Sequence, residues 1–141
     1  MSWNAVFENP RWPKPIGKPA QRVLETLISG LDVGQSRKID NAAGTFMAVH
    51  VERIANDFFS VAHYFVQNGD MMADPDIVFW RGPDGRYYPA EYTQHSLGIY
   101  QRLITFENGR PVRFMARQQA DAATFCTTWM RNIREQQRLK S

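Results

Sequence analysis

Asp70, Asp74 and Asp76 lie within seven residues of one another. Carboxylates at that density suit a hard cation such as Mg²⁺ or Ca²⁺, which takes oxygen ligands. The same residues suit turns. Aspartate accepts backbone hydrogen bonds in loops, and an Asp-Pro pair such as Asp74-Pro75 starts a turn. The spacing matches no calcium-binding loop, so turn formation is the expectation, and no metal or cofactor is assigned. His50, His63 and His95 could join Asp70 or Glu91 in a histidine-carboxylate site. Their separation is not that of a His-x-x-x-His metal pair, so they read as hydrogen-bonded structural residues. Cys126 falls on an apolar helical stripe and reads as core, not as a nucleophile. There is no Gly-rich phosphate loop, no Gly-x-Ser-x-Gly and no Cys-x-x-Cys, so no catalytic residue is assigned.

Asp76 also heads a longer pattern. A Pro-Asp pair, a gap and an acid-any-lysine triplet outline a large nuclease superfamily, in which the acids hold a metal and the lysine helps activate water. Pro75-Asp76 and Glu91-Tyr92-Thr93 resemble that outline, but Thr93 stands where the lysine belongs and Gln94 follows. A metal-dependent hydrolase therefore ranks behind two binding readings. One of these takes Trp80, Tyr87, Tyr88 and Tyr92, beside Arg81 and Arg86, as a platform on which single-stranded nucleic acid stacks. Alternate strand residues face opposite sides, so about half of that set must be exposed and the rest is core or rim. The other cationic feature is Arg131, Arg134 and Arg138, at i, i+3 and i+7 of the last helix. Such a stripe serves phosphates, an acidic protein surface or plain solvation.

The elements that must position these residues are legible. Asn68-Gly69 is the dipeptide that best tolerates positive φ at both central positions of a type I′ turn, so Phe58–Val66 and Ile77–Arg81 are predicted to pair as antiparallel strands. Both faces of Phe58–Val66 are largely apolar, which predicts a central strand. Pro75 removes a ladder donor and predicts an edge, a bulge or a strand start. Gly82-Pro83-Asp84-Gly85 turns the chain into Tyr87–Thr93. Upstream, residues 1–18 carry Pro10, Pro13 and Pro15 together with Trp3, Phe7 and Trp12, which predicts an extended arm lying on its own domain or on a partner. Residues 19–31 read as a helix with Val23, Leu24, Leu27, Ile28 and Leu31 on one stripe. Ser36–Ile54 reads as two strands around Asn41–Gly44, and Ser96–Phe106 as one strand joined through Asn108-Gly109 to Val112–Met115. In the last helix Ala122, Phe125, Cys126, Trp129, Met130 and Ile133 share one face, with Asp121 towards the N-terminus. The predicted fold is α+β: an antiparallel meander of about five to seven strands, with an N-terminal and a C-terminal helix packed on one face. Residues 19–139 form a single domain in this reading.

With 141 residues, 43% hydrophobic and 13% aromatic, the chain can bury a real core. One cysteine excludes an intramolecular disulfide and suits a reducing compartment. No apolar run approaches the ~20 residues that span a bilayer, and the N-terminus lacks the apolar stretch of a signal peptide, so the expected location is the cytoplasm. The formal charge of +3 is uneven. Arg11, Lys14, Lys18 and Arg22 outnumber Glu8 in residues 1–22, and six basic residues outnumber two acidic ones in residues 113–141. The middle holds seven basic against eleven acidic residues. Basic ends could meet an acidic partner, another copy's acidic middle, or only water.

Tyr64-Phe65, Gln67-Asn68-Gly69-Asp70, Asp74-Pro75-Asp76 and Leu97-Gly98-Ile99-Tyr100 together resemble an uncharacterised domain found in hypothetical proteins of bacterial conjugative elements, plasmids and phages. The resemblance covers roughly residues 20–135. It carries over no activity and no catalytic residue. What it implies is an accessory gene on mobile DNA, whose small product works by binding a host protein or a protein–nucleic acid complex, including as an inhibitor of host defence. The expectation is thus a non-catalytic binding protein, with a nucleic-acid binder as the alternative and a homodimer through the N-terminal arm as an open option.

Overall fold

Two Asn-Gly pairs fold the chain back on itself as their backbone preference requires. Asn68 and Gly69 take φ +53° and +86°, and Asn108 and Gly109 take +52° and +75°. The structure is a computed structural model that describes residues 12–140. Its elements in order are α1 (Lys18–Ile28), β1 (Ser36–Ile39), β2 (Val49–Ala55), β3 (Phe58–Gln67), β4 (Asp70–Arg81), β5 (Tyr87–Gln94), a 3₁₀ turn (His95–Leu97), β6 (Ile99–Arg102), β7 (Ile104–Glu107), β8 (Arg110–Phe114) and α2 (Ala116–Gln136). Strands β1 to β6 form one antiparallel meander in sequence order, and β7 and β8 form a separate two-stranded ribbon. The fold is α+β.

Both helices lie on one face of the large sheet. Val23, Leu24, Leu27 and Ile28 of α1 and Cys126, Trp129, Met130 and Ile133 of α2 are buried with Val49, Val51, Phe59, Val61, Ile77, Phe79 and Tyr87. Trp129 is 6% exposed, as the helical periodicity requires. Phe125, predicted on the same buried face, is 42% exposed. Its ring stacks on Trp129 at 5.8 Å and meets Tyr92 edge-on at 6.4 Å, at the rim where α2 leaves the sheet. A second, smaller core forms on the opposite face. There the ribbon's Ile104, Phe106 and Phe114 cover Phe58, Trp80, Tyr88 and Ala90 at one corner, together with Trp12.

Several predicted boundaries move. The first helix ends at Ile28, and two sheet arginines take carbonyls at and just beyond its end. Arg37 donates to Leu27 O at 2.8 Å and Ser29 O at 2.6 Å, and Arg53 donates to Leu31 O at 2.9 Å. Leu31 stays buried beyond the helix. The single strand predicted over Ser96–Phe106 is broken. Its first part stays on the large sheet as β6, and Leu103 then hands the chain to the ribbon through bonds to Ala90 O and from Met115 N. Met47, expected in a strand, lies in the loop before β2. Pro75 sits inside β4, between β3 and β5, and the bulge alternative is what occurs: the β3–β4 register shifts between Ala62 and Tyr64.

Residues 12–17 cross the domain in extended form. Ile16 is fully buried and donates its N–H to Tyr87 O at 2.9 Å. Gln119, fully buried in α2, accepts from Lys14 N at 2.7 Å and donates to Lys14 O at 2.8 Å. The described part of the arm therefore packs on its own domain. Trp3 and Phe7 lie outside the described residues, as does the larger part of the arm that a dimer through the N-terminus would use.

Candidate functional site: the uncovered sheet face

Strand alternation decides what the face away from the helices carries. Val49 and Val51 point into the helix-covered core, so His50 and Glu52 point away from it. Register then places Lys38 beside His50, Ser60 beside Glu52, Val78 beside Glu91, and Glu91 beside Arg102 on that same face. The ribbon covers only the corner around Trp80 and Tyr88. Over β1 to β4 the face forms a groove of about 500 Å³ lined by Ser36, Arg37, Lys38, His50, Val51, Glu52, Ser60, Tyr64 and Met71.

A polar network sits in the groove floor. Asp76 accepts a hydrogen bond from Ser60 Oγ at 2.7 Å on one oxygen and from Tyr64 OH at 3.3 Å on the other. Burial raises the Asp76 pKa; the two hydrogen bonds oppose that shift, and the charge of Glu91 reinforces it. The Tyr64 hydroxyl is pushed up to about 12, chiefly by burial, then by the charges of Asp76 and Glu52. His50 meets the Tyr64 ring edge-on at 5.0 Å. Its pKa is lowered by burial and then by Lys38, which favours the neutral imidazole. Beyond the groove, Tyr100 OH donates to Glu91 Oε1 at 2.7 Å. Val66 and Met71 at the β3–β4 tip, and Tyr100 on β6, are 71%, 58% and 56% exposed.

The predicted platform is not on this surface. Trp80 and Tyr88 are 3% and 1% exposed and form the second core, where the ribbon and Trp12 cover them. Pleating had allowed half the set to be internal; packing the ribbon on this corner puts these two rings inside, so neither presents a face to a base. Tyr92 faces the helices beside Phe125, and its hydroxyl donates to Gln94 Oε1. Arg81 pairs with Asp57 at 3.0 Å, and Arg86 donates to Gln21 Oε1 and Ile16 O. These cations hold loops and the N-terminal segment in place.

The three aspartates separate as well. Asp70 is exposed at the start of β4. Asp74 accepts from Gln94 Nε2 at 2.9 Å and Ser96 Oγ at 3.3 Å, while Asp76 turns to Ser60 and Tyr64. The bulge at Pro75 sends Asp74 and Asp76 to different partners. Asp76 and Glu91 do share the open face on neighbouring strands, but each is already hydrogen-bonded. Among the described residues no three His, Cys, Asp or Glu side chains gather as a metal site. His63 is buried edge-on to Trp129 at 5.5 Å, and His95 Nδ1 accepts from Ala73 N at 2.7 Å, so the histidines do not converge. Of the arginine stripe, Arg131 and Arg134 lie in α2, but Arg138 falls past the helix end with φ +55°. The i+7 position therefore leaves the stripe. Asp121 sits beyond the first turn of α2, which holds no acidic residue.

Lys38, His50, Glu52, Ser60, Tyr64 and Glu91 were not assembled from sequence. The signal was present in the alternation of β2 and β3, but their common face is defined only once the ribbon and helices are placed. Gln119 and Gln137 were also missed. Gln137, fully buried, accepts from Asn41 N at 2.7 Å and donates to Met47 O at 3.1 Å, pinning the β1–β2 loop to the end of α2.

No helix among the described residues is long and apolar enough to cross a membrane. No curated protein and no solved structure matches the chain. A family model matches residues 20–139, nearly the whole described fold, and the chain accordingly belongs to the family described as Domain of unknown function (DUF6908).

Proposed function

We propose that this chain is a non-catalytic accessory binding protein of a bacterial mobile element, acting in the cytoplasm on a host protein or a protein–nucleic acid complex through the uncovered face of its large sheet. One observation carries the reading. Among the described residues, two helices cover the sheet on one side and only a corner is covered on the other, and the remainder combines exposed apolar residues with charges of both signs. Apolar side chains ringed by charge mark surfaces for protein contact. The mobile-element setting rests on the resemblance of the Gln67–Asp70 and Asp74–Asp76 segments, and the cytoplasm on the single cysteine. The test is capture from host lysate with the full chain as bait, identifying protein and nucleic acid together. A specific partner is expected with wild type and with Arg131→Glu, and its loss is expected with Met71→Glu. Capture that Met71→Glu leaves unchanged overturns the assignment of this face.

A further inference from the structure

The assignment of the uncovered face to protein contact leaves its occupant in the purified protein unnamed. We infer that this occupant is a second copy of the chain, packed face to face about a twofold axis, so that self-association hides the docking surface. The inference rests on the reading of that face as a protein-contact surface.

Three features select a second sheet over a single inserted segment. The first is breadth. Exposed apolar groups run from Val66 and Met71 on β3 and β4 to Tyr100 on edge strand β6. Val66 and Met71 stand on the β3–β4 tip beyond the last β2 and β5 pairings, so these groups spread along the strands as well as across them, and a second sheet, packing about 10 Å away, offers contacts in both directions. The second is charge. Lys38 on β1 and Arg102 on β6 flank Glu52 on β2 and Glu91 on β5. None of the four forms an ion pair with a described residue. A twofold contact sets one patch against its own copy, so a face of single sign would repel itself, whereas this face carries both. Asp76, also on this face, has both oxygens taken by Ser60 and Tyr64. The third is size. Five strand spacings of about 4.8 Å give a sheet roughly 24 Å wide. The six strands hold 45 residues, which at about 3.4 Å of rise and that spacing cover roughly 730 Å²; with one corner taken by the ribbon, about 500 Å² per copy remains, so the total of about 1,000 Å² lies near the lower limit of specific interfaces. A contact of that size is reversible, and a host partner using the same face must displace the second copy.

Sedimentation of the full chain from about 1 to 200 µM tests this, a range suited to a weak dimer. The mass is expected to climb from one chain of 16.3 kDa towards two. Met71→Glu and, separately, Tyr100→Glu should hold it at one chain with unchanged circular dichroism; both side chains are exposed, so the core is untouched. Arg131→Glu should still associate. A single-chain mass throughout overturns the inference, and so does a dimer that both face variants leave intact, which would move the contact to another surface such as the N-terminal segment. The two readings fail separately. Host capture lost on Met71→Glu in a protein that is always monomeric removes only the second copy. A dimer broken by Met71→Glu with host capture unaffected removes only the host-docking role.

Discussion

Asp76 and His63 are ionisable groups buried for different reasons, and they push pH stability in opposite directions. The folded pKa of Asp76 is raised above the ordinary 3.8, so the folded state holds its proton more tightly than the unfolded chain. Its contribution is fully present below that value and is lost as pH rises through the folded pKa. The melting temperature of wild type relative to Asp76→Asn should therefore fall as pH rises above 3.8, apart from a constant offset for the altered hydrogen bonds. A difference that stays flat with pH would mean that Asp76 is solvated. His63 works the other way. Burial lowers its pKa below 6.5, so its contribution is present above 6.5 and is lost as pH falls through the folded pKa. Its Nε2 has no hydrogen-bond partner among the described residues. His63→Phe keeps an aromatic edge against Trp129 and removes both the buried orphan and the titration. Acid unfolding monitored between about pH 5 and 7 should show the variant losing less stability than wild type. Steeper loss in the variant would contradict this account.

At the scale of elements, the β3–β4 hairpin and α2 carry the fold. Gly69 has φ +86° with open space around the position of an added Cβ, so the penalty of a side chain there is backbone strain and not collision. Gly69→Val should cost about 1–3 kcal/mol in chemical denaturation, because a β-branched residue resists positive φ. Gly82 is the contrasting case: an added Cβ would come within 2.9 Å of the Tyr88 ring, inside the second core. Trp129→Ala removes the ring that closes α2 over His63 and Phe125, and a loss of roughly 3–5 kcal/mol is expected. A melting temperature within a degree or two of wild type would show that α2 is not an integral layer of the core. Gln119 is the polar counterpart. Its amide serves Lys14 on both sides and Pro89 O at 3.3 Å. Gln119→Leu removes the partner of the part-buried Lys14 backbone bonds and of the buried Pro89 O, so a loss of about 1–3 kcal/mol should come with earlier proteolysis near Lys14.

For the whole molecule, the distribution of surfaces separates the two binding readings. Stacking on single strands needs exposed rings, and the two best candidates are enclosed by the ribbon. Arg131 and Arg134 remain on α2 without the third arginine in line. We therefore expect no shift of single- or double-stranded DNA in a gel at about 50 mM salt, where counterion release strongly favours binding. A shift removed by changing Arg131, Arg134 and Arg138 to Glu would restore the nucleic-acid reading and place it on the helix end.

What local chemistry determined, the sequence shows directly. Asn-Gly pairs dictate hairpins, alternating β-branched and aromatic runs dictate strands, and the spacing of Cys126, Trp129, Met130 and Ile133 dictates one buried helical stripe. These follow from φ preferences and periodicity within a few residues, so the meander, both helices and the burial of Trp129 could be read in advance. The break at Leu103 could not, because it depends on which carbonyl, Ala90 O, waits across the sheet. The same holds for Trp80 and Tyr88, whose exposure depended on where a ribbon some twenty residues downstream came to rest. A pleated strand offers two faces of equal local standing, and only tertiary packing decides which of them is covered. For this reason the open groove of Lys38, His50, Glu52, Ser60 and Tyr64 belongs to the tertiary structure, although each of its residues stood in plain view along the chain.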